Sequence, residues 1–179
     1  MLEARAFVPE IESARKTLEL NGAIFKGQYK SRDIIFSPIN SDKSLKDEFL
    51  RLRIQLKNIW NEKDMIVSIK QTEKRSSGKN SIIPLRKEFD SESEARKFID
   101  ENLKNDFEYD FEFTRTGWQY DLGENQVDLE KVEDIPNCYT IEVKSLTENG
   151  LKDLIEMLSI PSLIQGPSVV EIKRLLFYF

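Results

Sequence analysis

The sequence predicts an α+β domain built on a mostly antiparallel sheet, and two observations carry this. Strand-like segments place charge at every second residue. Glu3 and Arg5 alternate with Leu2, Ala4 and Ala6, and Arg51, Arg53 and Gln55 alternate with Leu50, Leu52, Ile54 and Leu56. Arg86 with Glu88, Asp128 with Glu130 and Glu142 with Lys144 repeat the spacing. Successive side chains of a strand turn to opposite faces, so each set shares one face of a sheet. Secondly, segments with helical apolar spacing separate runs of strands, which is the order of an α+β domain.

The elements follow in order. Residues 1–8 read as a strand, with Pro9 opening a turn. Ile11, Ala14 and Leu18 recur at helical spacing and Asn21-Gly22 follows, which predicts a short amphipathic helix over 11–21 stopped at a glycine. Residues 23–36 read as extended chain, and Pro38, Asn40, Ser41 and Asp42 mark 37–47 as a loop. Strands are expected at 49–58 and 65–71, joined by a hairpin turn over 59–64. The Ser-, Gly- and Lys-rich run 73–80 is a polar loop, and 82–89 a strand in which Pro84 marks an edge or a bulge. Ser91 with Glu94 forms a capping box, predicting a helix over 92–103 that buries Ala95, Phe98 and Ile99. Strands return at 107–119, 126–131 and 139–145. A helix over 147–158 turns Leu151, Leu154, Ile155 and Leu158 inward, and 168–176 reads as a final helix.

Composition removes many chemistries. At 179 residues, 39% hydrophobic and 33% charged, the chain reads as a single soluble domain over residues 1–179. A net charge of −5 argues against bulk binding to nucleic acid or to an anionic membrane. The absence of histidine excludes His-based triads and His-ligated zinc, and the single Cys138 excludes an intrachain disulfide and a Cys-based zinc site. A reducing, cytoplasmic setting is expected, with no signal peptide and no membrane-spanning run. Any metal would be held by carboxylates, which points to Mg²⁺ or Mn²⁺. The chain has no glycine-rich phosphate loop and only 7 glycines, so phosphate would be held by side chains.

Alternating charge fits a half-buried strand whose polar face meets water. Turned inward in a closed barrel, the same faces would line a channel suited to a highly charged anion and a divalent metal. The bias toward arginine favours the channel, because guanidinium donates parallel hydrogen bonds to phosphate oxygens.

The residues resemble the CYTH superfamily, the triphosphate tunnel metalloenzymes, and within it the class IV adenylyl cyclase-like branch. Met1-Leu2-Glu3-Ala4-Arg5-Ala6-Phe7-Val8-Pro9 is similar to the family's opening Glu-x-Glu-x-Lys and Val-Pro, with Met1 at the first glutamate. Asn21-Gly22-Ala23 resembles its Leu-Gly-Ala, and Arg32-Asp33-Ile34-Ile35-Phe36 its Asp-x-Tyr-Phe strand. Leu50-Arg51-Leu52-Arg53 resembles Leu-Arg-x-Arg, Lys70 the lone lysine of the next strand, and Arg86-Lys87-Glu88 the Arg-x-Glu element. Arg115 falls on the arginine of a Lys-x-Arg whose lysine position is Phe113. Glu130 falls where the family has Asp, and Glu142 on the second glutamate of a late Glu-x-Glu, with Thr140 at the first. Pro167-Ser168-Val169 echoes a Ser-Tyr pair.

The resemblance implies an eight-stranded antiparallel β-barrel, the triphosphate tunnel, with flanking helices. It implies Arg5, Arg51, Arg53, Lys70, Arg86 and Arg115 as phosphate ligands, and Glu3, Glu130 and Glu142 as ligands of Mg²⁺ or Mn²⁺. Lys70 and Glu3 are the candidate catalytic residues, and Glu88 is expected to position Arg86. The substrate would be a small-molecule triphosphate or nucleotide. Expected activities are conversion of ATP to cyclic AMP and pyrophosphate, or hydrolysis of tripolyphosphate or thiamine triphosphate. A homodimer is compatible with the resemblance. Met1, Phe113 and Thr140 remove two expected carboxylates and one cation, which keeps open a catalytically impaired polyphosphate- or nucleotide-binding module. A structural barrel whose charges pair with themselves is the third alternative. Trp60, Trp118 and Tyr120 read as strand packing rather than a base pocket.

Overall fold

The computed structural model describes residues 2–39, 49–57, 65–72 and 85–158, with backbone alone at 2–5 and 72. Its strands are β1 (Leu2–Phe7), β2 (Ile24–Pro38), β3 (Phe49–Leu56), β4 (Met65–Thr72), β5 (Arg86–Phe89), β6 (Phe107–Leu122), β7 (Asn125–Val132) and β8 (Tyr139–Ser145). Its helices are α1 (Ile11–Leu20), α2 (Glu92–Asn102) and α3 (Glu148–Met157). The expected turn 59–64, the polar loop 73–80, Pro84, most of the loop 37–47 and the final helix 168–176 lie outside the described residues.

The eight strands form one sheet in the order β1-β8-β7-β6-β2-β3-β4-β5. The β1–β8, β8–β7, β7–β6, β3–β4 and β4–β5 ladders are all antiparallel. The order ends at β1 on one side and β5 on the other, and among the described residues no ladder joins them. The α+β class and the antiparallel sheet are as expected. The two long strands exceed expectation: β2 continues to Pro38 and β6 to Leu122.

Helix ends obey local chemistry. α1 stops where Gly22 takes φ +81°, and the Gly22 and Ala23 amides donate to the Glu19 and Leu18 carbonyls at 3.0 Å. Ser91 caps α2 by accepting from the Glu94 amide at 3.2 Å, and Thr147 caps α3 by accepting from Gly150 at 3.0 Å. The β6–β7 hairpin closes over two residues, Gly123-Glu124, with Gly123 at φ +62°, a left-handed conformation that glycine adopts without strain.

The chain packs as two compact units, and β2 and β6 contribute residues to both. The first unit holds β1, α1, β2 through Lys30, β6 from Arg115, β7, β8 and α3. Its core joins Leu18 of α1 and Leu154 of α3 to Tyr120, Val127, Leu129, Ile141 and Val143 of the sheet. The second holds β2 from Ser31, β3, β4, β5, α2 and β6 through Thr114. There Ala95 and Ile99 of α2 pack on Ile34, Leu50, Leu52, Val67 and Ile69. In each unit the helices cover an apolar face of the strands.

Candidate functional site

In the second unit the register builds a row of cations. Arg51 of β3 lies directly opposite Lys70 of β4, and Lys70 directly opposite Arg86 of β5. They occupy the face opposite Leu50, Leu52 and Ile69, with strand spacing of ~4.8 Å between neighbours. Like charges directly opposite one another destabilise a sheet. Arg51 is half-buried, whereas Lys70 and Arg86 are exposed. Two residues along the same face, Arg53 aligns with Ser68 and Ser68 with Glu88. Arg53 is engaged by a carboxylate: its Nε and Nη2 donate to the two oxygens of buried Asp33 at 2.7 and 2.9 Å.

In the first unit the corresponding face is acidic and covered. Asp128 is 5% exposed, Glu130 4%, Glu142 9%, Thr140 1% and Arg115 3%, so here the alternation is not a solvated surface. Asp128 faces Glu142 across β7 and β8, and Glu130 faces Thr140. Glu130 is fully engaged: Tyr29 Oη donates to Oε1 and Arg115 Nη1 to Oε2, each at 2.7 Å. Burial first, then the charges of Glu130 and Asp128, hold the Tyr29 phenol far above its ordinary pKa, so it donates as a neutral hydroxyl. Gly117 lies opposite Glu130 in the ladder, and a Cβ there would come within 2.1 Å of the Tyr29 ring. Burial also raises the nearby Cys138 thiol. Lys144 Nζ lies 2.6 Å from Asp128 Oδ2 and 3.0 Å from Glu142 Oε1.

The structure therefore assembles Arg51, Lys70 and Arg86 as one row, with Arg53 beside it, and places Arg115, Glu130 and Glu142 in the other unit. Glu3 and Arg5 pair by backbone register with Lys144 and Glu142, and their side chains are not described. Asp33, Tyr29, Asp128 and Lys144 belong to these clusters without having been assigned site roles from the sequence. Asp128 and Lys144 are visible in the charge alternation and Asp33 in the Asp-x-Tyr-Phe resemblance, whereas Tyr29 sits in a segment that reads only as extended chain. Tyr120 is fully buried and Trp118 packs on the core, as expected of packing aromatics.

The oxygen-only donor set suits a hard cation. Asp128 and Glu142 share one cationic centre, the Lys144 ammonium, and both oxygens of Glu130 are committed to Tyr29 and Arg115. Among the described residues no group of three or more such ligands is assembled. No described helix is long and apolar enough to cross a membrane.

Solved structures share this architecture. The PH1819 protein of Pyrococcus horikoshii matches with a TM-score of 0.71 at 16% identity, over 96% of this chain and 94% of that one. A Bacillus halodurans protein described as a "putative adenylate cyclase" matches with a TM-score of 0.59 at 14% identity, over 95% of each chain. A chain of the Schizosaccharomyces pombe Mediator head module matches with a TM-score of 0.57 at 13% identity, over 88% of this chain and 94% of that one. No protein-family model and no curated protein matches the sequence. At these identities the likeness shows a shared fold, and the fold by itself leaves the activity open.

Proposed function

We propose that the chain is a divalent-metal-dependent enzyme acting on a small-molecule triphosphate, of the class IV adenylyl cyclase or triphosphatase type. The observation that carries this reading is the Arg51–Lys70–Arg86 row. Three adjacent cations on one face of the sheet suit a polyanion, since phosphate oxygens accept hydrogen bonds from ammonium and guanidinium alike. In this reading the sheet is the wall of a closed triphosphate tunnel, with Arg53, Arg5 and Arg115 as further phosphate ligands.

Phosphoryl transfer asks the protein chiefly to position the chain of phosphates and to neutralise charge on the departing oxygen. Lys70, at the centre of the row, holds the phosphates from one side and Arg51 and Arg86 from the next strands. As a cyclase, the protein would orient the ribose 3′-oxygen toward the α-phosphorus with pyrophosphate leaving; as a hydrolase, it would orient water toward the terminal phosphorus. Glu3, Glu130 and Glu142, with Asp128 beside Glu142, are the residues that would hold Mg²⁺ or Mn²⁺; Tyr29 and Arg115 engage the Glu130 oxygens, and Lys144 and Gln126 those of Asp128. The metal would supply Lewis-acid neutralisation of the phosphate charge.

A second reading, a polyphosphate- or nucleotide-binding module with little turnover, is favoured by Thr140. It stands buried opposite Glu130, at the position where the resemblance expects a glutamate. ³¹P NMR of ATP and of tripolyphosphate, each with protein and Mg²⁺ or Mn²⁺, separates the two. New phosphorus signals are expected and identify cyclisation or hydrolysis. Shifted or broadened signals without new species establish the binding module, and unperturbed spectra overturn both.

A further inference from the structure

We propose that Asp33 is a positioning residue: it clamps one edge of the Arg53 guanidinium so that Nη1, on the other edge, is presented to a phosphate bound beside the Arg51–Lys70–Arg86 row. The inference rests on the proposed function in taking that row as a phosphate site. β2 and β3 are neighbours in the sheet, and both belong to the second unit from Ser31 onward. Ile34 and Phe36 of β2 pack with Leu50 and Leu52 of β3 under α2. Asp33 and Arg53 stand at the alternate positions, so they share the opposite face with Arg51.

Asp33 is 1% exposed, and its two oxygens accept from Arg53 Nε and Nη2 at 2.7 and 2.9 Å. This is the bidentate fit of a planar fork on a carboxylate, and it engages only the Nε side of the fork. Among the described residues Arg53 Nη1 is neither hydrogen-bonded nor buried, and the side chain is 20% exposed. Arg51 lies two residues earlier on the same face, ~6.6 Å along the strand, so a chain of phosphates held by Arg51 reaches Nη1. Asp33 acts on such an anion in two opposed ways. As a negative charge it repels the anion. As a clamp it removes rotamer freedom that Arg53 would otherwise lose on binding, an effect of about 3- to 10-fold in affinity. The carboxylate is buried and its charge is offset by the guanidinium it holds, so the clamp prevails. A lysine could not replace Arg53 here, because an ammonium has no second edge to present once a carboxylate holds it.

The two effects have opposite signs, which makes the test decisive. Tripolyphosphate would be titrated calorimetrically, with metal chelated, into the wild type, Asp33→Asn, Arg53→Lys and the double variant, with circular dichroism to confirm the native fold. Asp33→Asn is expected to weaken binding about 3- to 10-fold, although it removes a negative charge from the site. In the Arg53→Lys protein, which has no fork to clamp, the same substitution is expected to tighten binding. An equal effect in the two backgrounds, or tighter binding by Asp33→Asn alone, overturns the proposal. A wild type that binds no tripolyphosphate overturns the proposed function and this inference with it, whereas wild-type binding that Asp33→Asn leaves unchanged removes the inference only. A second measurement needs no Asp33 variant and decides the matter should Asp33→Asn fail to fold. The ¹⁵N resonance of Arg53 Nε, assigned by its loss in Arg53→Lys, is expected to hold its position as tripolyphosphate is added, while the Nη resonances move. A shift of Nε to the position of a solvated arginine would show that the ligand pulls Arg53 off Asp33, and would overturn the clamp.

Discussion

At Gly117 one missing Cβ decides where a neighbouring ring can lie. Tyr29 passes over this position to bring its hydroxyl 2.7 Å from Glu130, and any side chain at 117 would start inside the ring, 2.1 Å from Cζ and 2.5 Å from both Cε atoms. The ring cannot bend, and its far end is anchored to a buried carboxylate, so the strain of a methyl group falls on the backbone or on that hydrogen bond. Gly117→Ala is therefore expected to destabilise the protein by about 1–3 kcal/mol, the usual cost of overpacking. Urea unfolding measures it as a lower midpoint at unchanged slope. Because the damage runs through the Tyr29–Glu130 contact, the losses from Gly117→Ala and Tyr29→Phe should be less than additive. A Gly117→Ala protein as stable as the wild type would show that the ring moves aside freely. None of this was legible in the sequence. Gly117 is an isolated glycine in a strand, and Tyr29 lies in a segment that reads as extended chain, so only the fold reveals that the two meet.

Elements were far more legible than contacts. Helix stops and starts carry short-range chemistry, so Asn21-Gly22, Ser91 and Thr147 mark their ends as the structure has them. Ser91 supports a direct check. Its Oγ accepts from the Glu94 amide, and α2 presents Ala95 and Ile99 to the core of the second unit. Ser91→Ala leaves that amide to water alone and is expected to cost about 1 kcal/mol, read as a loss in unfolding free energy, while Ser91→Gly costs only a few tenths. An alanine variant matching the wild type would mean that the cap contributes nothing to α2. Strand alternation likewise told which residues share a face, and the row Arg51–Lys70–Arg86 follows once β3, β4 and β5 are paired. The alternation could not say whether a face is wet. Asp128 and Glu142 are buried while Arg86 is exposed, although all three come from similar patterns. Nor did it show that Arg53, read as a phosphate ligand, is held by Asp33, because that partner lies 20 residues away on another strand. Side-chain pairing across a sheet depends on register, and register is a tertiary property.

For the whole molecule the decisive quantity is where charge sits rather than its sum. The chain carries a net −5, yet three cations share one row of the second unit, and the acidic face of the first is largely neutralised by Arg115 and Lys144. A polyanion should thus bind locally, against the net charge, and should stabilise the fold by mass action. With metal removed by chelation, tripolyphosphate at 100 times its Kd is expected to add about 2.7 kcal/mol. For a chain of this size that raises Tm by roughly 5–10 °C. The gain should shrink between ~0.05 and 0.5 M salt, because exposed Lys70 and Arg86 are open to screening. Lys70→Glu, which sets a carboxylate between Arg51 and Arg86, should abolish the gain while leaving the ligand-free protein folded, since the exchange replaces two like-charge contacts with opposite ones. Equal stabilisation of the wild type and Lys70→Glu would remove the row from the binding site. Loss of the shift in the variant alone would locate phosphate recognition on β3, β4 and β5, whichever reaction follows.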